Sequence, residues 1–410
     1  MNPNPLNPPI GGRSVRTLSS TLLAAQRSAS SQPYIKVTTT ERIGGVTRLN
    51  WGRLYTGSEP DYYHAATIPG DGSLLRARVS NSSPFWLYIQ RVTSPGPGSD
   101  FSQWSSFAQV SGSSGIALAM QGANILLFFV DTDGLTIKYA ESNNYGASFS
   151  SPVTILTAPG TVGWLTADFN GSGTVALFYS VGGTIYAVKR TGGSWGTPAS
   201  WTNSLSAITG LSCAYAGDWN LAVTGQDSTS SYRLWICIYG DGYSYGVGDW
   251  SSLMEQTSAS PNSSVEFRCP SLAYPDVFRL FFVEKYSGSE AYSRPFWSYS
   301  LPTSEFGSNL WREPVPFDLA ATYGLSIAYN GNYAWLSCPS GVWRASLFPA
   351  SVELTADVLS LETDSSPFSG QARVELRNDD GRYSSPGSSP YAALQPGSEL
   401  QVSPGYVTSI

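Results

Sequence analysis

The chain has 410 residues and a net charge of −6, with 13% charged residues, 13% aromatic residues, 41 glycines and 27 prolines. So few charges beside so many aromatics exclude a disordered chain and point to a packed body with a hydroxyl- and aromatic-rich surface. The acidic balance leaves no footprint for nucleic acid. No apolar run reaches the roughly 18 residues that cross a bilayer, so membrane insertion is not expected either.

Residues 1–33 read as a Pro/Asn-rich leader and a docking helix. The helix, over 14–29, has Ser14 as its cap and Val15, Leu18, Leu22 and Leu23 on one stripe. The leader "MNPNPLNPPIGG" lacks the basic-then-apolar order of a secretory signal. Residues 34–60 follow as a hairpin turning at Gly44-Gly45.

From 61 to 350 the sequence repeats. Taking Leu87, Ile137, Ile185, Trp235, Trp297 and Trp343 as equivalent anchors, the spacings are 50, 48, 50, 62 and 46 residues. Upstream of four anchors comes a small-residue strand with a hydrophobic-x-Ala core: "GIALAM", "GWLTADF", "GLSCAY" and "GLSIAY". "PSLAYP" is a looser copy, and "YYHAATI" opens the first unit. Strongly apolar strands such as "NILLFFV" lie between. An aromatic (Trp104, Phe149, Trp195, Trp250 or Trp311) starts the strand that closes five of the units. Four short strands in about 50 residues cannot bury both faces alone, but stacked radially they cover one another. The expected fold is therefore all-β, a six-bladed β-propeller. The last unit lacks a closing strand, and 34–42, 46–54 and 351–359 all qualify to supply it.

Residues 351–410 return to alternating strands: "ADVLSLE", "QARVELRN" and "SELQVSPGY". Neither terminal group is large enough to fold alone. The expectation is that 34–60 and 351–410 build one small β-barrel or sandwich, with the propeller inserted in it.

Two resemblances add to this. The terminal pattern centres on the turn Asn378-Asp379-Asp380-Gly381-Arg382-Tyr383, followed by a Pro-Gly-rich link and a strand leading to Gly405-Tyr406. With the first hairpin, it resembles a domain of bacteriophage tail-tip or baseplate hub proteins. That likeness implies a structural virion component, located in the tail and made in the host bacterial cytoplasm, with other tail or baseplate subunits as partners. The stretch "SNNYGASF" is similar to the Asp-box of sialidase-type propellers: Ser142, Gly146 and Phe149 match, and Asn144 stands where aspartate is usual. In that family the motif is a structural turn, so it implies a propeller and not catalysis.

Catalysis has little to stand on. There is one histidine, His64, which excludes a catalytic triad and reads as a packing residue. Asp131, Asp133, Asp168, Asp241 and Asp249 read as turn or cap residues, and no spacing gathers Arg76, Arg78, Arg233, Arg268 and Arg279 into a cluster. The four cysteines form no CxxC pair and are expected as buried thiols, so neither a metal site nor a cofactor is expected. Binding fares better. The loop "YGDGYSYGVGDW" offers Tyr239, Asp241, Tyr243, Tyr245 and Asp249 for a shallow contact with a host-surface glycan or protein. The expected function is thus a propeller presented by a virion. The alternatives are a sialidase-like or polysaccharide-degrading hydrolase, and a purely architectural tail protein.

Overall fold

A computed structural model describes residues 32–40, 42–43, 46–47, 51–57, 61–112, 114–202, 205–240, 250, 254–255, 265–274, 279–286, 294–299, 315–316, 324–330, 333–338, 341–346, 351–353, 358–365, 370–376, 378 and 399–407. Every described element is a strand or a turn. The expected helix over 14–29 lies outside the described residues.

Four strands precede the repeats: β1 (Gln32–Thr40), β2 (Arg42–Ile43), β3 (Val46–Thr47) and β4 (Gly52–Thr56). Five sheets of consecutive antiparallel strands then follow. The first holds β5 (Asp61–Thr67), β6 (Leu74–Ser80), β7 (Trp86–Val92) and β8 (Ser105–Gln109). The second holds β9 (Ala117–Gln121), β10 (Asn124–Val130), β11 (Thr136–Ser142) and β12 (Val153–Thr157). The third holds β13 (Val162–Phe169), β14 (Val175–Val181), β15 (Thr184–Thr191), β16 (Ser194–Trp195) and β17 (Ala199–Thr202). The fourth holds β18 (Leu205–Tyr215), β19 (Trp219–Asp227), β20 (Tyr232–Tyr239) and β21 (Met254–Glu255). The fifth holds β22 (Val265–Ala273), β23 (Arg279–Tyr286), β24 (Arg294–Tyr299) and β25 (Val315–Pro316). A composite sheet comes next, in which β26 (Ser326–Tyr329), β27 (Tyr333–Cys338) and β28 (Gly341–Ser346) are completed by β4.

The fold is a β-propeller. A six-bladed propeller had been expected, its last unit short of a closing strand. The structure instead shows five blades made of consecutive strands, and a further sheet that borrows its outer strand from far upstream. The physical reason is closure. Gly341–Arg344 of β28 would present a bare edge, and Gly52–Thr56 pairs with it. The innermost strands β5, β9, β13, β18, β22 and β26 follow one another in contact, and β26 returns to β5.

Five of the junctions between neighbouring sheets have an apolar filling of their own among the described residues. Leu126, Phe128 and Val130 of β10 pack on Leu165, Leu177 and Tyr179 of the next sheet. Phe178 and Ile185 pack on Leu221, Val223 and Trp235 in the same way. Leu127 and Phe129, on the opposite face of β10, meet Ala77, Val79 and Leu87. The period-2 alternation of a strand buried on both sides explains why "NILLFFV" is apolar throughout.

The terminal segments are a second unit, Met1–Arg48 with Phe348–Ile410. Its strands are β29 (Ser351–Glu353), β30 (Val358–Ser365), β31 (Gly370–Leu376) and β32 (Glu399–Val407). β1 pairs with both β29 and β32, from Thr40↔Ser351 and Gln32↔Val407. The two remaining pairs, β2–β3 and β30–β31, are separate hairpins. Among the described residues this unit gives one three-stranded sheet and two hairpins; the two terminal segments belong to one unit, and its closure into a barrel or sandwich is not shown.

Candidate functional site: the central channel and its mouth

The repeat that betrayed the propeller also builds its axis. Aligned on the channel, the six inner strands read His64-Ala65-Ala66-Thr67-Ile68, Ile116-Ala117-Leu118-Ala119-Met120, Leu165-Thr166-Ala167-Asp168-Phe169, Leu211-Ser212-Cys213-Ala214-Tyr215, Pro270-Ser271-Leu272-Ala273-Tyr274 and Leu325-Ser326-Ile327-Ala328-Tyr329. The first three residues of each line a channel of about 100 Å³.

An inner strand has one edge with no strand beside it, so its N–H groups need other acceptors. The second position of the repeat supplies them. Cys213 N donates to Thr166 Oγ1 (2.9 Å), Leu272 N to Ser212 Oγ (2.9 Å), Ile327 N to Ser271 Oγ (2.8 Å) and Ala66 N to Ser326 Oγ (2.9 Å). Each hydroxyl thus caps the next strand around, and the last one joins β26 to β5. Where the repeat has Ala117 instead, a direct backbone bond joins β9 to β13, Gly115 N to Gly163 O (2.8 Å). A Cβ on Gly115 would sit 3.0 Å from Leu165 N, so glycine permits that approach.

The fourth position is alanine in four strands and Thr67 in a fifth. In β13 it is Asp168. Its Oδ2 accepts Tyr215 N (2.9 Å) and its Oδ1 accepts Phe169 N (2.9 Å). Two of the roughly four acceptor positions of a carboxylate therefore remain open. Desolvation by the packed strands pushes its pKa up to about 6 against these two bonds. The fifth position carries Phe169, Tyr215, Tyr274 and Tyr329: Phe169 packs against the core between the second and third sheets, Tyr215 lies edge-on to Trp219 (5.3 Å), and Tyr274 is 39% exposed. The Tyr329 hydroxyl is held well above the ordinary phenol range, first by burial and then by the neighbouring Asp168 charge. Asp168 also helps burial keep the Cys213 thiol protonated.

The other sequence candidates fall elsewhere. Tyr239 is 5% exposed, bridged to Trp250, and packed edge-on against Phe178 (5.3 Å). It is core, which corrects its reading as a contact residue: β20 turns its ring into the junction with the third sheet. Trp250 stacks on Trp201 (5.1 Å) as a closing aromatic. Asp241, Tyr243, Tyr245 and Asp249 lie outside the described residues, as do Trp311 and Asp379, Asp380, Gly381, Arg382 and Tyr383; Asn378 is exposed.

The Asp-box is a turn, as read. Ser142 Oγ donates to Asn144 Oδ1 (2.8 Å) and accepts Gly146 N (2.9 Å), while Ser148 N reaches Asn144 Oδ1 (3.0 Å). Gly146 has φ +77°, and a Cβ there would meet Leu75 at 2.9 Å. Phe149 packs on Phe107, and Trp195 on Phe128 and Tyr139. Asp131 pairs with Lys138, and Asp133 caps Leu135 N and Thr136 N. Arg233 is tied to Asp227 and Arg268 to Glu266, so these two do not form an arginine cluster. The side chain of Arg279 lies outside the described residues. All four cysteines are buried thiols outside any disulfide. Among the described residues no group of three or more His, Cys, Asp or Glu could hold a metal ion.

His64 belongs to a polar patch between the composite sheet and β5–β8. Its Nε2 meets Ser337 Oγ at 2.7 Å, and Arg76 Nε donates to the same oxygen at 2.7 Å. Arg76, fully buried, also donates to Gln90 Oε1 (2.8 Å). The ring of Trp104 carries both guanidiniums, Arg76 at 4.8 Å and Arg78 at 4.1 Å.

No known family matches the chain, and no curated protein does. Solved structures do. A protein of unknown function from Dyadobacter fermentans aligns with 74% of this chain and 99% of its own, at a TM-score of 0.50 and 10% identity. The Aleuria aurantia lectin aligns with 73% of this chain and 96% of its own (TM-score 0.46, 12% identity). A Hadza microbial sialidase aligns with 70% and 66% (TM-score 0.46, 13% identity). At 10% identity the first of these likenesses shows the fold alone. None of these comparisons bears on a phage tail.

Proposed function

We propose that the propeller is a carbohydrate-binding module whose site is the aromatic mouth of the channel, centred on Asp168. One observation carries this reading: a carboxylate replaces the repeat's alanine at the single inner strand where open acceptor positions face a rim of Tyr215, Tyr274 and Tyr329. A partly desolvated carboxylate accepts two vicinal sugar hydroxyls well. An exposed tyrosine ring suits the C–H face of a pyranose. Because the site brings a negative charge, the ligand class is neutral sugars, with sialic and uronic acids repelled. A glycan array followed by calorimetry tests this. Asp168→Ala and Tyr274→Ala are each expected to lower affinity about tenfold or more, the loss of one charged hydrogen bond or one stacking face. Unchanged affinity in both would refute it.

The setting of that module on a virion, in a tail tip or baseplate with other tail subunits as partners, is carried by the sequence resemblance of the terminal segments. A single mount would require the two terminal segments to meet, as β1, β29 and β32 do in one sheet. Several mounted copies would add avidity to a shallow site.

A second reading, glycoside hydrolysis, is favoured by the Asp168 pKa near 6, the range a general acid needs at neutral pH. It requires a second carboxylate about 5–9.5 Å away. Incubation with labelled polysaccharides separates the two: under this reading Asp168→Asn abolishes hydrolysis and keeps binding, and under the first there is no hydrolysis to abolish.

A further inference from the structure

Among the residues whose exposure is described, two aromatic rings are exposed: Tyr274 at 39% and Tyr145 at 37%. Both stand on the face of the propeller that holds Asp168. Tyr274 directly follows the inner strand β22. Tyr145 lies in the turn from β11 to β12. Because β10 is antiparallel to both β9 and β11, β11 runs in the direction of the inner strand. The turn that follows it therefore leaves from the same end as the inner strands. In ring order Asp168, on the third sheet, stands between the two rings: Tyr145 belongs to the second sheet and Tyr274 to the fifth.

The Asp-box turn does not need the Tyr145 ring. It is held by Ser142 and Asn144, and Tyr145 joins it through main-chain atoms alone: its N donates to Ala123 O (3.1 Å) and its O accepts Arg91 Nε (2.9 Å). Its φ is +59°, a left-handed backbone that glycine or asparagine adopts more readily. The ring rests on the β5–β6 turn, with Cε1 3.6 Å from where a Cβ on Gly70 would stand. From there contacts run unbroken to Asp168. Gly70 N donates to Gly122 O (3.4 Å). Gln121, one residue earlier, donates from Nε2 to Asn170 O (3.3 Å), and Asn170 lies two residues past Asp168. The charges beside this strip are paired, Asp71 with Arg91 and Glu141 with Arg190, so it too suits a neutral ligand.

We propose that Tyr145 is a second stacking platform, and that the ligand is a neutral oligosaccharide laid across this face with Asp168 between Tyr145 and Tyr274. This rests on the carbohydrate reading of the mouth and adds to it the length of the ligand. A pyranose on an exposed ring buries its C–H face while its hydroxyls stay in water. Each platform then adds affinity without a deep pocket, and a single sugar fills only one of them.

Calorimetric titration of the full-length protein with malto-, cello- and manno-oligosaccharides of one to six units tests this. In at least one series affinity should rise about tenfold from the shortest member that binds to the longest, the gain of one further stacking face. Tyr145→Asn, whose side chain suits the left-handed backbone, should keep Tm and the affinity for the shortest member and lose that rise. Tyr145→Phe should retain it. Asp168→Ala should weaken every length alike. A rise that survives in Tyr145→Asn, or an affinity flat with length in every series, would overturn the proposal and leave the mouth as the whole site. No binding in any of the three series would overturn it as well. Unchanged affinity in both Asp168→Ala and Tyr274→Ala would instead remove the mouth reading on which it rests.

Discussion

Removing one hydroxyl of the inner belt, by Ser271→Ala, tests whether side chains replace the missing strand at the channel edge. Ser271 is 5% exposed, and its Oγ accepts Ile327 N at 2.8 Å. The substitution deletes little volume but leaves a buried amide without its acceptor, which costs about 1–3 kcal/mol. The lower part of that range, about 1–2 kcal/mol, fits the loss of one neutral acceptor and corresponds to a factor of about 5–30 in a local opening equilibrium. Amide hydrogen exchange reads this at one residue. The Ile327 amide should exchange about 5–30 times faster in the variant, while Leu272 N, capped by Ser212 Oγ one junction back, keeps its rate. Ser212→Ala should give the converse pattern. Ser151→Ala, at an exposed position before β12, serves as control and should change neither amide. Equal exchange of Ile327 in wild type and Ser271→Ala would mean that the hydroxyl contributes nothing, and the account of the repeat's second position would fall.

Asp168 should be a stability liability at neutral pH. Its folded pKa of about 6 lies above the ordinary 3.8, so the native state holds the proton more tightly than the unfolded chain. Stability is therefore lost as pH rises from about 4 to about 6, by about 3 kcal/mol at 1.36 kcal/mol per pKa unit. Asp168→Asn, with an amide oxygen for Tyr215 N, should raise Tm at pH 7.5 and match wild type near pH 4. A lower Tm at pH 7.5 would contradict the desolvation argument. In the Asp-box, Asn144→Asp keeps the acceptor for Ser148 N and should lie within about 0.5 kcal/mol of wild type, whereas Asn144→Ala should cost about 1–2 kcal/mol in urea unfolding. Ser337→Ala strips a partner from both His64 and Arg76 and should cost more than 2 kcal/mol in the same assay.

Periodicity made much of this legible. The anchors fell on real strands: Leu87 in β7, Ile137 in β11, Ile185 in β15 and Trp343 in β28. The Asp-box announced a turn correctly even with Asn144, because amide and carboxylate oxygens accept the same N–H. Closure was less legible. The strand that closes β28 is Gly52–Thr56, only its first residues inside the 46–54 candidate, while 34–42 and 351–359 contain strands that pair with each other. Three candidates with similar alternation cannot be ranked when nothing local encodes a partner some 290 residues away. Asp168 read as a cap residue, and its carboxylate does accept Tyr215 N and Phe169 N; that one of these lies on β18, remote in sequence, was not legible, and its departure from the repeat's alanine was the available signal for the role proposed above. Tyr239 looked like loop chemistry, yet strand alternation turns it inward. His64 was read as a satisfied packing residue, which holds for Nε2 and fails for Nδ1.

The most direct test is to locate a saccharide. From crystals of the full chain grown with a neutral oligosaccharide selected on the array, difference density should appear at the channel mouth, with a vicinal hydroxyl pair within hydrogen-bond distance of Asp168 and a ring against Tyr274. A saccharide bound elsewhere on the propeller, with the mouth empty at saturating ligand, would contradict it.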